Sequence, residues 1–519
     1  MNTSVLIIIG LLTYVVILLW DGIRRIFKNN NSEEYYAAGR GVSSLALLAT
    51  VAMSIFSGLS YYGYPSSIYK FGVGYLSGNG GYVTTLIFCT VGYRLWIMGK
   101  EYGFKSPSDY LRARYSSEAY GYFVAAILFI FIIPYIGTQV ISIGTGLEIS
   151  TAGLVSYGAA ITVATIVIGA HTLSGGMSSV AWMDTFHFFL GYGALALVLY
   201  FSVTMNSEAG TLFGGLREFY AVAREVRPAV LSNPGPQGTY TVVGNINNAL
   251  AGAIANVFWP HIFVRCFMAK GKKNFQIMAC ALPIFYALCF FMLAIVGAIV
   301  APALLGGDFT AYDSIMPTIS AQYTNNLVNF VSILALCAFA ISTTDSFLLV
   351  GGQMAAEDIF CHWKLTKGEK VDGKKSVRMG RIAIVFLMIC MLFICWLRPA
   401  SICDNAYKLA SPFFGMMMPA TILGIYWKKA SKQGAWAGTI SGLVVVIIFT
   451  FFAKAPLGIS AFLWGLMVNF VVMIAVSLAT YKTIPQEVIT RYIDNINNII
   501  TTGNSCYDVV DGTIGKMVK

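Results

Sequence analysis

Ser342, Asp345 and Ser346 stand at i, i+3 and i+4 in ISTTDSFLLVGGQ, residues 341–353, with Thr343 beside them. On a helix that spacing lines their oxygens along one face. The stretch continues VSILALCAFA, which is apolar enough to lie in a bilayer, where an ionised carboxylate costs roughly 3 kcal/mol or more unless it meets protein, water or a cation. A strip of hard oxygens suits Na⁺ far better than a soft transition metal. Asp184, in SGGMSSVAWMDTFH, is a second acid of this kind. The competing readings are, for Asp345, an acid at the cytoplasmic end of the segment that hydrogen-bonds across helices or reaches the interface, and for Asp184 a helix-start or interfacial acid.

The rest of the chain must hold such groups in hydrocarbon. Of its 519 residues 57% are hydrophobic and 11% charged, against about 25% charged in soluble domains, and the mean hydropathy is +0.71. This composition predicts an all-α polytopic membrane protein. Thirteen apolar runs, each long enough to cross about 30 Å of hydrocarbon as a helix, are expected at 4–21, 44–69, 80–99, 119–146, 152–171, 180–205, 241–266, 275–303, 327–352, 380–398, 405–427, 434–454 and 458–481. The first lacks a basic leader and a small-residue cleavage site, so it reads as a retained helix.

Basic residues favour the cytoplasmic side of short loops. An outside N-terminus and a cytoplasmic C-terminus put Arg24, Arg25, Lys28, Arg40, Lys100, Lys105, Arg112, Arg114, Arg265, Lys270, Lys272, Lys273, the 364–381 run and Lys428, Lys429 and Lys432 inside. Lys70, Arg217, Arg224, Arg227, Arg398, Lys408 and Lys454 fall outside. Orientation thus accounts for the net charge of +11 without a nucleic-acid partner. Ten scattered cysteines form no CxxC pair, and with four histidines and no phosphate-binding loop or nucleophile elbow the sequence offers little to an enzyme.

Two runs look breakable. VAMSIFSGLSYYGYP carries Ser54, Ser57, Gly58, Ser60, Gly63 and Pro65 at its middle, and GNINNALAGAIANVFWPHIFVR carries three Asn followed by Gly252, Asn256 and Pro260. Small residues also mark ordinary helix packing, but two broken helices five spans apart point to an inverted-repeat transporter. The division expected is a first helix and loop (1–40), two five-helix repeats (41–206 and 241–430) separated by an extracytoplasmic loop (207–240), two added helices (431–482) and a cytoplasmic tail (483–519) that forms a short amphipathic helix.

Five stretches, EYYAAGRGVSSLALLATVAMSIFSG, SGGMSSVAWMD, WPHIFVR, STTDSFLLVGGQMAAEDIF and PFFGMMMPATILGIYWKKASKQGAWAGTISG, resemble in order and spacing the sodium/solute symporter family over residues 33–455. The resemblance implies a leucine-transporter-like fold and a main Na⁺ site with carbonyls from Met53, Phe56 and Phe339 and hydroxyls from Ser342 and Thr343. It also implies, as in some members, a second cation site at Asp184, Asp345 and Ser346. One Na⁺, two, or a proton on Asp345 all stay open. Solute contacts are expected from Ser57, Ser60, Tyr61, Tyr62, Tyr135, Gln139, Asn256 and Trp259, an aromatic wall with a few polar groups that suits a small organic solute.

Leu59 and Gly252 stand where the proline-transporting branch has Trp, and His187 where many members have Gln. PYIGTQ and STTDS resemble the monocarboxylate and pantothenate branch more closely. The resemblance therefore implies Na⁺-coupled symport of a small organic acid by alternating access in a bacterial inner or plasma membrane, with no obligatory protein partner. The alternatives are a proton-coupled or uncoupled carrier and a solute sensor that signals to a cytoplasmic partner.

Overall fold

A helix satisfies every backbone N–H and C=O within its own segment, which is why apolar runs become helices where no water can pair them. The computed structural model describes residues 3–26, 31–78, 81–397, 410–505, 507–510 and 513–517. Lys28, Arg398, Lys408 and the start of the expected eleventh span, 405–409, lie outside the described residues. Apart from a C-terminal hairpin, Tyr507–Val510 with Thr513–Met517, the described regular structure is helical.

Among the described residues, eight helices are long and apolar enough to cross a membrane, and two bent pairs raise the number to ten. The straight spans begin with α1 (Thr3–Arg25). The first bent pair is α2 (Ser44–Ile55) and α3 (Gly58–Phe71), which meet at 50°. Helices α4 (Tyr93–Tyr102), α5 (Glu118–Ser150) and α6 (Tyr157–Thr204) follow. The second bent pair opens with α7 (Val242–Ala255), and its two arms meet at 54°. Then come α8 (Lys272–Ile295), α9 (Asn326–Gln353), α10 (Gly373–Leu397), α11 (Met418–Tyr426), α12 (Lys432–Ile447) and α13 (Ala461–Thr480).

The thirteen expected runs are matched in part. The fifth and sixth lie in one helical segment, α6, broken at Gly176 between them, and the described part of the eleventh, Ala410–Tyr426, is apolar but shorter than a full span. Both expected breaks are present. Pro260 cannot continue a helical ladder, and it opens the short helix Pro260–Phe263 just past the second bend.

Helix α9 is the axis of the molecule. Every residue from Ala335 to Gln353 is buried, so a run that looks like an ordinary lipid-facing span is enclosed by protein on all sides. By contrast α10 leaves Ile382, Phe386, Ile389, Phe393 and Trp396 exposed, as an outer helix should when its solvent is lipid. The tail forms the helix Asn495–Thr502 and docks on the end of α4, where Tyr102 Oη donates to the Arg491 carbonyl at 2.5 Å and Asn495 Nδ2 to Tyr102 Oη at 2.9 Å.

Helix α6 is interrupted at Gly176, whose φ of 59° and ψ of −170° only glycine adopts readily. A Cβ there would lie 2.8 Å from Tyr35 Cδ2 and 3.0 Å from the Tyr35 carbonyl oxygen. Gly176→Ala should therefore cost about 1–3 kcal/mol from the backbone alone, read as a lower unfolding temperature of the detergent-purified protein. Gly193→Ala, on the same helix with open space around it, should leave that temperature nearly unchanged.

Candidate ion and solute sites

The break between α2 and α3 creates the chemistry. The helical ladder stops where Phe56 N–H donates to Ala52 C=O (2.8 Å) and resumes where Tyr61 N–H donates to Ser57 C=O (3.0 Å). Carbonyls 53–56 are released from it. Phe56 and Ser57 are extended, and Ser57 caps α3 by accepting from Ser60 N–H at 3.2 Å. Gly58 lets α3 start hard against its neighbours, since a Cβ there would lie 2.6 Å from Ser142 Oγ and 2.9 Å from Ala340 Cβ.

Three of the five expected main-site ligands meet at this break. Thr343 Oγ1 lies 3.4 Å from the Met53 carbonyl and 3.0 Å from the Phe339 carbonyl. Ser342 Oγ is buried one residue away and has no hydrogen-bond partner. A buried hydroxyl left unpaired costs about 1–3 kcal/mol, which an added cation would offset. Phe56 is buried with its ring against Tyr192, Tyr286 and Phe290.

The three residues of the expected second site are divided. Asp184 and Ser346 share one partner, Arg265, whose Nη2 lies 3.4 Å from Asp184 Oδ2 and donates to Ser346 Oγ at 2.7 Å. Arg265 Nε donates to the carbonyl and the hydroxyl of Thr50 (3.1 and 3.0 Å), Nη1 donates to the His261 carbonyl, and Thr50 Oγ1 in turn donates to Asp184. The orientation argument placed Arg265 among cytoplasmic loop charges. The structure buries it completely, because four acceptors and a carboxylate replace its water.

Asp345 belongs to a different chain of contacts. Its Oδ2 lies 2.6 Å from His171 Nδ1, and its Oδ1 accepts from Thr172 Oγ1. His171 Nε2 is 3.0 Å from Ser179 Oγ, which donates to Asp21 Oδ2 at 2.5 Å. Asp21 pairs with Arg24 and Arg25 at the end of α1 (3.0 and 3.2 Å). The Ser179 proton is committed to Asp21, so Ser179 accepts from His171 Nε2–H. His171 Nδ1 then faces the Asp345 carboxylate from the other side of the ring. A parallel arm joins α1 to Asp184, with Tyr14 Oη 2.7 Å from His187 Nε2 and His187 Nδ1 3.9 Å from Asp184 Oδ1.

Beside the break lies a cavity of about 600 Å³. Of the expected solute contacts, Ser57, Ser60, Tyr135, Asn256 and Trp259 line it. Tyr61, Tyr62 and Gln139 do not. Tyr61 donates to or accepts from Ser332 at 3.0 Å and stacks on Phe339, Tyr62 packs by Gly146, and Gln139 is buried with Nε2 on Thr138 Oγ1 at 3.1 Å. Walls that sequence reasoning missed include Ser54, Tyr64, Asn248, Tyr286 and Phe290, and no Asp, Glu, Lys, Arg or His is among the described lining residues.

A gap in a broken helix, edged by freed carbonyls and buried hydroxyls and opening on a cavity with no charged side chain among its described lining residues, is an arrangement suited to a secondary transporter. The profile described as the sodium:solute symporter family matches residues 35–442, and the chain belongs to that family. It is a multi-pass membrane protein of a family of sodium-coupled transporters rather than enzymes. It is 24% identical over 456 residues to the sodium/pantothenate symporter of Haemophilus influenzae, covering 86% of this chain and 90% of that one. It is 26% identical over 526 residues to sodium/proline symporter 2 of Staphylococcus saprophyticus, covering 96% of each. A solved Na⁺-coupled sialic acid symporter, in a substrate-bound outward-open state, superimposes with a TM-score of 0.74 at 17% identity, over 93% of this chain and 98% of that one.

Thr50 holds the guanidinium and the carboxylate together, so Thr50→Val, which keeps the shape and removes the hydroxyl, should destabilise the protein by about 1–3 kcal/mol. Thermal unfolding in detergent measures it, and Thr50→Ser should restore the wild-type temperature.

Proposed function

We propose that the protein couples Na⁺ entry to the uptake of a small organic acid, of the monocarboxylate or pantothenate type, by alternating access, with its N-terminus outside and its C-terminus in the cytoplasm. The observation that carries this reading is the unpaired, buried Ser342 hydroxyl beside Thr343, Met53 and Phe339 at the break. Two hydroxyls, the freed carbonyls of Met53 and Phe56 and the carbonyl of Phe339 supply five neutral oxygens, a donor set suited to Na⁺. External Na⁺ would draw α2 and α9 together and complete the cavity wall next to it. Solute then binds better when the ion is present, which is the differential affinity that coupling requires.

The cavity supports the solute class. About 600 Å³ walled by Tyr64, Tyr135, Trp259, Tyr286 and Phe290, with Ser57, Ser60 and Asn256 as polar contacts, fits a small organic molecule. Leu59 and Gly252 line it where the proline branch is expected to place two tryptophans, which favours a solute other than proline. With no basic side chain among the described residues of the wall, the counter-charge to a carboxylate is the Na⁺ itself.

One observation favours a second reading, proton coupling: the contact of His171 with Asp345 lies on a hydrogen-bonded path to Asp21. The two readings part in proteoliposomes given pantothenate, lactate, pyruvate, acetate, proline or sialic acid. Accumulation of one acid under an inward Na⁺ gradient at equal pH is expected; accumulation under a pH gradient without Na⁺ would replace sodium by the proton.

Ser342→Ala and Thr343→Ala should each raise the Na⁺ concentration for half-maximal uptake about tenfold, the equivalent of 1.4 kcal/mol of lost ligation, with expression intact. An unchanged Na⁺ dependence in both variants would remove the ion from this site.

A further inference from the structure

We propose that the Arg265 guanidinium is the resident cation of the place where a second Na⁺ is expected, so that the protein binds one Na⁺ per chain, at the main site only. The inference rests on the sodium reading above.

Two of the three expected second-site residues, Asp184 and Ser346, already face a positive charge. Arg265 Nη2 donates to Ser346 Oγ at 2.7 Å and stands 3.4 Å from Asp184 Oδ2. The third, Asp345, has one carboxylate oxygen on His171 and the other on Thr172. Of the side-chain oxygens of these three residues only Asp184 Oδ1 is left without a hydrogen-bond partner, and a single oxygen cannot surround an ion. A Na⁺ placed between Asp184 and Ser346 would sit within a few ångströms of the guanidinium, and with water excluded that repulsion is weakly screened.

The arginine is not poised to step aside. It is wholly buried, and its Nε and Nη1 are held by Thr50 on α2 and by the carbonyl of His261, one turn before it. The planar fork thus ties the second bent segment to α2, α6 and α9 at once, a geometry that a guanidinium supplies and a spherical ion does not. Charge agrees with geometry: Asp184 and Arg265 make a neutral pair, which offers a further cation little attraction. The main site differs because no fixed cation pairs with its hydroxyls. Ser342 Oγ has no partner, and the hydroxyl of Thr343 meets carbonyls rather than a cation.

The chain therefore carries its own second cation, one that cannot leave on the cytoplasmic side. Each transport cycle then draws on the gradient of one Na⁺, and the Arg265 contacts act as a fixed clasp where a two-sodium relative would release an ion.

The test is equilibrium binding of ²²Na⁺ to the purified full chain, by scintillation proximity in detergent without added solute. The wild type is expected to saturate at one Na⁺ per chain with a Hill coefficient near one. Two Na⁺ per wild-type chain would overturn the proposal, whereas none at all would overturn the sodium reading and the proposal with it. Arg265→Gln, recovered as monodisperse protein, frees Asp184 and Ser346 and should bind two Na⁺ per chain. A single Na⁺ in that folded variant would show that Asp184 and Ser346 are no latent cation site, which also overturns the proposal. Arg265→Lys keeps the charge and should stay at one.

Discussion

The fold depends on one constraint: in hydrocarbon a backbone carbonyl must have a partner inside the protein. A continuous helix meets it without help. The break after Ile55 does not, and everything around it answers that deficit. Thr343 reaches Met53, His261 Nε2 donates to the Ser54 carbonyl at 3.0 Å, and Arg265 Nε donates to Thr50. A helix broken for function must be embraced by its neighbours, which is why α9 runs buried from Ala335 to Gln353.

The same deficit gathers the ionisable groups. Asp184, Arg265, His171, Asp345 and Asp21 are each 3% exposed or less, and each is matched by an opposite charge or a hydrogen bond. Buried charges of this kind are weak stabilisers but strong fixers of geometry, since losing one partner strands the other. The network reaches α1 through Asp21 and through Tyr14. A helix outside the two expected repeats is thereby part of the site's electrostatics and more than a membrane anchor.

Much of this was legible in the sequence, for identifiable reasons. Small and polar residues inside apolar runs announced both breaks, and the i, i+3, i+4 spacing of Ser342, Asp345 and Ser346 announced a polar face. What periodicity cannot give is which face meets which neighbour. Asp345 and Ser346 are adjacent on α9 yet turn to different elements, one to His171 and the other to Arg265. Arg265 was visible in WPHIFVR, but its partners lie 81 and 215 positions away in the chain, and a basic residue near the end of an apolar run reads as a loop charge. Tyr61 and Tyr62 show the same limit: α3 presents Ser57, Ser60 and Tyr64 to the cavity, while those two rings pack inward.

The charge-free wall of the cavity has a consequence for how membrane voltage acts. Because no described lining side chain brings formal charge, the cavity adds none of its own to that of the cargo. A monoanion beside a single Na⁺ forms a neutral pair, and the electric field performs no work on the loaded turn. A neutral solute leaves one positive charge, on which the field acts with about 2.3 kcal/mol per 100 mV. Current through the protein, or its absence, thus reports the sign of the solute before its identity is known.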